Sequence, residues 1–481
     1  MIKNKYINDY LEHNAKNIGA KAALVCEDRS LNWSEVYSES NIVSNYLLEL
    51  LTNQDKQQVV AILLPNSWQF VIGYYGIVTS GHMAMPIDIS YKKLEIDNIL
   101  NKIKPSLIIT DHDHLRLFSK KIKTLIVTDI PTKISSFPPR KIHLLPPKQQ
   151  ISTLFYASGT TGKPKAIPNT HRNQLWDVKS ISKPMKWTNS DTLLVSLPLS
   201  HRHGLVIGIL GGLYHGNTTF LQKHFDPDAT LNLINSGNIS IFFGVPAIYK
   251  KLIEHKPKNK YYLDKIRLCE SGSSHLPLSL WQNFRDRFGV EIFDRYGTSE
   301  TGTIALNSLN YRSPCAFNNL PYGVQIKLDI NNELLIKSPG LFPGYFQNDK
   351  ATNDNFTSDR WWRTGDIFIL DNNILQLKNR VQEKITKNGY LISPRDIEWA
   401  MSKNKLIKDV QVIGMSNNDE LNDLIVYFLV SDLSNDAIKD YYKANLPASW
   451  RPDLVYMVKE LPKTSNGKVS IIKLKELVGA I

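Results

Sequence analysis

Hydrophobic residues in the first 150 positions form short, nearly unbroken runs that alternate with amphipathic stretches. The runs at 59–64 and 107–110 are mostly aliphatic, as expected of parallel strands that are buried on both faces. Residues 94–102 instead have the apolar spacing of a helix. Alternation of buried strands with helices favours an α/β fold with parallel pairing.

The same alternation resumes later and then gives way to two other patterns. Strands are predicted at 151–156, 192–196 and 239–243, and a helix at about 205–214. Residues 320–378 contain short strands between turns, and a compact α+β unit follows residue 380. We therefore predict an α/β fold with an N-terminal body, 1–380, and a separate α+β C-terminal domain, 381–481. The body would contain two α/β layered subdomains and a small β subdomain.

Composition narrows the class of protein. Hydrophobic residues make up 42% of the 481 positions, which is enough for a large core and excludes disorder as the main state. The three cysteines lack a C-x-x-C pair, so we expect a reducing compartment and no structural zinc module. No signal peptide is visible, and the longest apolar run is shorter than the ~20 residues of a membrane helix. A cytoplasmic protein without a membrane span is expected.

The charge balance is strongly basic. Lys and Arg number 58 against 45 Asp and Glu, giving a formal net charge of +13. The basic residues are scattered, without a long tract, an RNP-like motif or a zinc finger, so we expect no nucleic-acid partner. Solvated surface accounts for such an excess, and attraction to ATP, coenzyme A or an acidic carrier protein is the functional alternative.

A glycine-rich loop directly follows the strand predicted at 151–156. Residues 157–165 read Ala-Ser-Gly-Thr-Thr-Gly-Lys-Pro-Lys, and small residues, hydroxyls and lysines together suit phosphate oxygens. Gly159 and Gly162 lie too close together for a Walker A loop, which needs four residues between its glycines. The candidate phosphate ligands are Ser158, Gly159, Thr160, Thr161, Gly162, Lys163 and Lys165.

With its flanking residues, this loop resembles the hallmark of the AMP-forming adenylating superfamily of acyl-CoA synthetases, adenylation domains and luciferases. The family loop reads Tyr-Thr-Ser-Gly-Thr-Thr-Gly-x-Pro-Lys-Gly, and residues 156–166 follow it with Ala166 in place of the last glycine. Other family motifs occur in the expected order, and the resemblance spans about 153–469.

The resemblance implies a nucleotide site. Residues 294–301 resemble the Y-G-x-T/S-E-T segment, in which Tyr296 would stack on adenine and Glu300 would hold Mg²⁺ on the ATP phosphates. Asp366, in an Arg-Thr-Gly-Asp motif, would accept from the ribose hydroxyls. The implied nucleotide ligands beyond the loop are Gly272, Ser273, Ser274, Asp294, Arg295, Tyr296, Gly297, Asp366 and Arg380; the implied metal ligands are Glu300 and Thr161.

The resemblance also implies a mobile C-terminal domain. Gln382 stands at the family's hinge position, which is otherwise Asp or Lys, and Gly389 would face a thiol channel. Lys468 matches the adenylation lysine, which would sit between the substrate carboxylate and the α-phosphate until the domain rotates. The implied catalytic residues are Lys468, His201, Glu300 and Thr298.

The acid is expected to lack an α-amino group. His201 matches the histidine of the family segment P-x-x-H-x-x-G, where amino-acid-activating domains have an Asp. The surrounding stretch looks most like malonyl-CoA synthetases, but Lys251 replaces an arginine and loses its bidentate carboxylate geometry. We therefore expect a small or medium acyl or aryl acid, with an exposed helix lysine as the alternative interpretation of Lys251. The candidate substrate ligands are His201, Lys251, Ser271 and Gly297.

The implied reaction activates a carboxylic acid with ATP and Mg²⁺, then passes the acyl group to a pantetheine thiol. Coenzyme A and an acidic acyl carrier protein present the same thiol and both stay open, as does the oligomeric state. Two other functions remain as alternatives: an enzyme that uses acyl-AMP without coenzyme A, such as a luciferase-type oxygenase, and an inactive nucleotide-binding protein. The residues 111–114, Asp-His-Asp-His, are interpreted as a polar turn rather than a metal cluster.

Overall fold

The computed structural model describes most of the chain. The described residues are 6–51, 56–119, 122–127, 142, 145–157, 165–256, 261, 263–380, 385–387, 390–392, 394–416, 423–464 and 469–479. Among them, no helix is both long and apolar enough to cross a membrane.

The first layer of the body is a six-stranded sheet covered by helices. Up to residue 170 the elements are α1 (Ile7–Ile18), β1 (Ala22–Val25), β2 (Ser30–Asn32), α2 (Trp33–Leu50), β3 (Val59–Leu63), α3 (Trp68–Thr79), β4 (Met83–Pro86), α4 (Lys93–Ile103), β5 (Leu107–Thr110), β6 (Thr124–Ile126), β7 (Ile151–Ala157) and β8 (Lys165–Thr170). The strand order is β6-β5-β3-β4-β7-β8, parallel except for the β7–β8 hairpin. Every residue of β3 and β5 is buried, as the aliphatic runs predicted.

The second layer is an eight-stranded sheet. Its further elements are α5 (His171–Ser182), β9 (Thr192–Val195), a π-helix (His203–Leu210), α6 (Gly211–His215), β10 (Thr218–Leu221), α7 (Pro227–Asn235), β11 (Ile241–Gly244), α8 (Pro246–Glu254), β12 (Leu268–Ser271), α9 (Leu278–Phe288), β13 (Ile292–Thr298) and β14 (Gly302–Leu306). The strand order is β14-β13-β12-β11-β9-β10-β1-β2. β1 pairs in parallel with β10, so the N-terminal hairpin β1–β2 joins a sheet whose remaining strands begin only at Thr192.

The helix predicted at about 205–214 differs from expectation, since its first part is a π-helix that passes into α6. Two glycines let it lie very close to β9 and the loop that follows. A Cβ at Gly208 would lie 2.8 Å from the Val195 side chain, and one at Gly204 would lie 2.5 Å from the Pro198 carbonyl oxygen. Such π segments are rare and frequently mark functional sites.

Helix starts follow local sequence signals. The Asn32 side chain accepts from the backbone N–H of Glu35 at the start of α2. The Asp226 side chain does the same for Ala229 at the start of α7, where Pro227 occupies the first turn. These contacts satisfy N–H groups that the helix leaves without partners.

A small β subdomain and a C-terminal α+β unit complete the described chain. The subdomain contains β15 (Ala316–Phe317), β16 (Gln325–Leu328), β17 (Glu333–Lys337), α10 (Asp349–Asp354), β18 (Trp362–Asp371) and β19 (Ile374–Arg380). The C-terminal unit contains β20 (Ile385–Lys387), β21 (Tyr390–Ile392), α11 (Pro394–Ser402), β22 (Ile407–Ser416), β23 (Asp423–Ser431), α12 (Asn435–Asn445), β24 (Leu454–Met457) and α13 (Ile471–Gly479). Their sheets run β15-β19-β18-β17-β16, β20-β21 and β22-β23-β24, so the predicted α/β architecture with a distinct α+β unit is confirmed.

Candidate active site

The carboxyl ends of four neighbouring parallel strands, β9, β11, β12 and β13, meet at one edge of the eight-stranded sheet. Ligands of open α/β sheets bind outside such an edge. Ser271, a predicted acid ligand, ends β12, and Ser196 directly follows β9. Both hydroxyls are buried, and neither has a hydrogen-bond partner within the described part of the chain. Unpartnered buried hydroxyls at this edge are where a ligand would be expected to bond.

The predicted adenine and ribose ligands lie side by side. Tyr296, on β13, donates its hydroxyl proton to Asp366 Oδ2 on β18 over 2.6 Å, and both residues are buried. The Tyr296 ring packs edge-on against Phe368. The backbone of Arg380 pairs with that of Asp366 in the β18–β19 ladder. A carboxylate offers about four acceptor positions, which suits the ribose role predicted for Asp366.

The backbone has an unusual conformation or a close contact at two predicted ligands, Ser273 and Gly297. Ser273 has φ 69°, in the left-handed region that non-glycine residues seldom adopt, and its Oγ lies 3.2 Å from His203 Nδ1. Ser274 follows it directly. A Cβ at Gly297 would lie 2.3 Å from the Gly302 carbonyl oxygen, so only glycine fits at the β13–β14 turn.

Glu300 is oriented by a tyrosine that the motifs did not indicate. The Tyr345 hydroxyl donates to Glu300 Oε1 over 2.9 Å, and the Lys165 ammonium lies 4.5 Å from the centre of the Tyr345 ring. Burial and the Glu300 carboxylate raise the pKa of Tyr345, so its hydroxyl stays protonated and remains a donor. The tyrosine thus links the end of the glycine-rich loop to the predicted metal ligand.

The carboxylate of Glu300 fits Mg²⁺ held mainly by nucleotide phosphates and water, which needs only one or two carboxylates. No cluster of three or more His, Cys, Asp or Glu side chains suited to a metal occurs among the described residues. Thr298 supports the turn that leads to Glu300, because its N–H donates to Thr301 Oγ1 over 3.2 Å.

His201 is held by a carboxylate from the first layer. Its Nε2–H donates to Asp88 Oδ2 over 3.0 Å, while Asp88 Oδ1 accepts from the N–H and hydroxyl of Ser90. Burial opposes ionisation of Asp88, but the bonds to His201 and Ser90 outweigh it and lower the pKa of this carboxyl. The ionised Asp88 can only accept, so Nε2 carries a proton and Nδ1 is the ring atom left for a ligand.

The side chains of Asp294 and Arg295 are buried and form hydrogen bonds within the protein. Asp294 accepts from the backbone N–H groups of Arg295 and Cys315, and burial raises its pKa to about 7. Arg295 Nε donates to Glu270 Oε1 over 2.7 Å. Their predicted part in nucleotide binding therefore rests on the backbone geometry of β13, and it stays a prediction.

Lys251 lies exposed on α8, with its ammonium 5.9 Å from the Phe225 ring centre. This position matches the alternative interpretation of an exposed helix lysine, and its role as an acid ligand stays a prediction. Asp111 accepts from the backbone N–H of His114 over 2.9 Å, which fits the interpretation of residues 111–114 as a polar turn.

Several predicted residues lie outside the described part of the chain. They are Ser158, Gly159, Thr160, Thr161, Gly162, Lys163, Gln382, Gly389 and Lys468, together with the side chain of Arg380. Their roles stay predictions.

The sequence motifs missed three residues that contact predicted ones: Asp88, Tyr345 and Glu270. Asp88 had a usable signal, since an acidic residue just after a buried strand lies at the ligand-binding edge of a sheet. Glu270 and Tyr345 had none, because nothing local distinguishes a buried carboxylate in a strand or a tyrosine in a loop.

An α/β body with predicted nucleotide ligands at the sheet edge and a separate α+β unit is the architecture expected of an adenylate-forming enzyme. The chain belongs to the AMP-binding enzyme family: residues 11–346 match that family, and residues 396–468 match its C-terminal domain. The resemblance predicted from the motifs is confirmed. The chain is an AMP-forming ligase that joins a carboxylic acid to a thiol and uses ATP and Mg²⁺.

Relatives and solved structures agree with this assignment. The chain is 26% identical to the mitochondrial malonate–CoA ligase of Homo sapiens, over 94% of this chain and 89% of that protein. It is 24% identical to a long-chain-fatty-acid–CoA ligase of Bacillus subtilis, over 99% and 95%. The fold matches ATP-bound MatB from Rhodopseudomonas palustris with a TM-score of 0.89 at 20% identity, covering 98% of this chain and 99% of that one.

Proposed function

We propose that this protein joins a small or medium acyl or aryl acid to the thiol of coenzyme A through an acyl-adenylate. The observation that carries the proposal is that three predicted site residues are each held by a hydrogen bond to another side chain: Tyr296 to Asp366, Glu300 to Tyr345, and His201 to Asp88. The first pair would bind adenine and ribose, the second the metal-bound phosphates, and the third the acid. The buried hydroxyl of Ser271, which has no hydrogen-bond partner among the described residues, ends β12 beside the strand that carries Tyr296.

In the first half-reaction the acid carboxylate attacks the α-phosphate, the bond to pyrophosphate breaks, and acyl-AMP forms. There is little covalent work for the protein, so positioning and charge neutralisation dominate. Lys165 and the glycine-rich loop would bind the phosphates, and Lys468 would neutralise charge where the new bond forms. Mg²⁺, held at Glu300, would supply further neutralisation of the phosphate oxygens.

In the second half-reaction the thiol attacks the acyl carbon and AMP leaves. We place the hinge at Gln382, with the boundary between residues 380 and 381. Two observations support this boundary: β19 ends at Arg380, and the described strands after it pair only with one another. Rotation would withdraw Lys468 and bring Gly389 to the thiol channel.

Coenzyme A is the proposed acceptor because the named relatives are CoA ligases. A carrier-protein phosphopantetheine is the second candidate, supported by the basic net charge of +13, which would attract an acidic carrier as well. A cytoplasmic location is proposed from the cysteines, all three of which are free thiols.

ATP–pyrophosphate exchange with purified protein tests the first half-reaction without an acceptor. The panel would contain short and medium fatty acids, benzoates, cinnamates, malonate, methylmalonate and amino acids. Exchange with one acyl or aryl class supports the proposal, and silence across the panel overturns it. Release of AMP that depends on coenzyme A, compared with a pantetheinylated carrier protein, then identifies the acceptor.

Lys468→Ala tests the assignment of the adenylation lysine, with Lys463→Ala in the same segment as its control. The first variant should lose at least about a hundredfold in exchange, the scale of removing a charge that acts mainly in the transition state, and the control should lose little. Full exchange by Lys468→Ala would contradict the assignment.

A further inference from the structure

A cluster of buried charged side chains lies directly behind the strand edge where nucleotide and acid sites meet. Glu270, on β12 beside Ser271, is 0% exposed. Its two carboxylate oxygens accept from Arg295 Nε over 2.7 Å and from His203 Nε2 over 2.7 Å. Arg295 Nη1 also donates to Thr303 Oγ1 over 3.1 Å. Glu270 is thus bound on both oxygens by side chains from two other elements.

Gly272 connects this cluster to the predicted site. A Cβ added there would lie 3.0 Å from Arg295 Nη2 and 3.3 Å from Glu270 Oε1. The backbone of the segment predicted to flank adenine therefore lies directly against these charges, with no side chain at Gly272 between them. His203 lies two residues after His201 and reaches the same segment through Ser273. A group bound at this edge would lie next to the cluster.

The charges of the cluster cancel. Burial opposes ionisation of Glu270, but His203 and Arg295 outweigh it and lower its pKa, so the carboxylate is ionised. Burial lowers the pKa of His203, which leaves the imidazole neutral near pH 7. Arg295 supplies one positive charge against the single negative charge of Glu270.

The neighbouring buried arginine is neutralised in the same way. Arg202 donates to Asp177 Oδ2 from both Nε and Nη2, the latter over 2.9 Å, and both side chains are buried. Lys251 is exposed on α8. Among the described residues at this edge, each buried arginine already has a carboxylate partner.

We propose that Glu270 is a specificity-determining residue which, by neutralising Arg295, excludes acids that carry a second carboxylate. The inference rests on the proposed function, because it concerns which acid that site activates. A second carboxylate near this edge would lose its hydration and find both arginines already paired with carboxylates, and a buried charge without a partner is costly. The substrate class is therefore monocarboxylic.

Matched acids of equal chain length test this in exchange assays: propionate with malonate, butyrate with succinate, and pentanoate with glutarate. The wild-type enzyme should favour the monocarboxylic member of each pair by at least about a hundredfold, on the scale reached when an unpaired polar group must be buried. A wild-type enzyme that activates both members equally overturns the inference without any variant.

Glu270→Gln removes the charge and keeps an amide of the same size between Arg295 and His203. It should raise the ratio of dicarboxylic to monocarboxylic exchange by at least about tenfold, because Arg295 becomes a free counter-charge. Glu39→Gln, which removes the partner of Arg29 far along the chain, is the matched control and should leave the ratio unchanged.

An unchanged ratio in a Glu270→Gln protein that melts like the wild type overturns the inference. If that variant does not fold, the wild-type acid pairs alone decide it. Exchange with no acid of any kind would instead overturn the proposed function itself, so the two failures are distinguishable.

Discussion

Replacement of Asp88 by asparagine tests whether a buried carboxylate holds His201 in its working orientation. The Asp88 side chain is 7% exposed and that of His201 is 22% exposed, so solvent offers little substitute for their 3.0 Å bond. Ser90 donates its N–H and its hydroxyl to Oδ1, which obliges an asparagine to place its carbonyl oxygen there. Its NH₂ group would then face His201 Nε2, donor against donor, and the imidazole would have to change tautomer.

The expected loss follows from the type of bond. A hydrogen bond to a charged group contributes about 1.5–3 kcal/mol, which corresponds to a decrease in rate of about 10- to 150-fold if it is needed in the transition state. The loss should fall on the exchange rate, and the KM for ATP should change little, because His201 is assigned to the acid.

ATP–pyrophosphate exchange with the preferred acid measures this loss, and Asp111→Asn is the matched control. Asp111 also contacts a histidine, His114, over 2.6 Å, but the two side chains are 25% and 20% exposed and belong to a surface turn. The control should keep wild-type exchange.

A double-mutant cycle decides between positioning and general structural damage. Once His201→Ala has removed the imidazole, Asp88→Asn should cost nothing further. The same loss in both backgrounds, or full activity of the single variant, would refute the assignment of Asp88 to His201.

Three further outcomes are expected. Tyr345→Phe removes the donor to Glu300 and should raise the Mg²⁺ concentration for half-maximal exchange several-fold; an unchanged titration would contradict the link. Burial lowers the pKa of His82 to about 4, so protonation favours the unfolded chain, and unfolding free energy should fall by about 2 kcal/mol between pH 7 and pH 5; His82→Gln, compared by urea titration at both pH values, should remove this share. Lys250 and Asp409 pair over 2.8 Å at 27% and 30% exposure, so Asp409→Asn should cost at most about 1 kcal/mol in low salt; a larger loss, or one that survives molar salt, would contradict a screened surface pair.

Two strands of the first layer followed directly from local pattern. The aliphatic runs at 59–64 and 107–110 became β3 and β5, because only a strand covered on both faces needs apolar residues at every position. The pairing of β1 with β10 had no such signal, since strand partners far apart in the chain are chosen by tertiary packing.

The sequence by itself determined the family and the reaction class, because short motifs carry the resemblance: the Gly-rich loop at 157–165, the segment at 294–301 and the motif that contains Asp366. Each depends on backbone geometry and side chains within a few residues, which order along the chain preserves. The family assignment and the reaction class followed from these motifs alone.

Only the tertiary structure decided which side chains hold those ligands and what charge surrounds them. Asp88 reaches His201 across 113 positions of the chain, and Glu270 reaches His203 across 67. Contacts of this kind depend on how the sheets pack, and burial then sets whether a charge is free or neutralised. Whether a cationic side chain can bind the second carboxylate of a dicarboxylic acid therefore depends on the folded molecule and not on any motif.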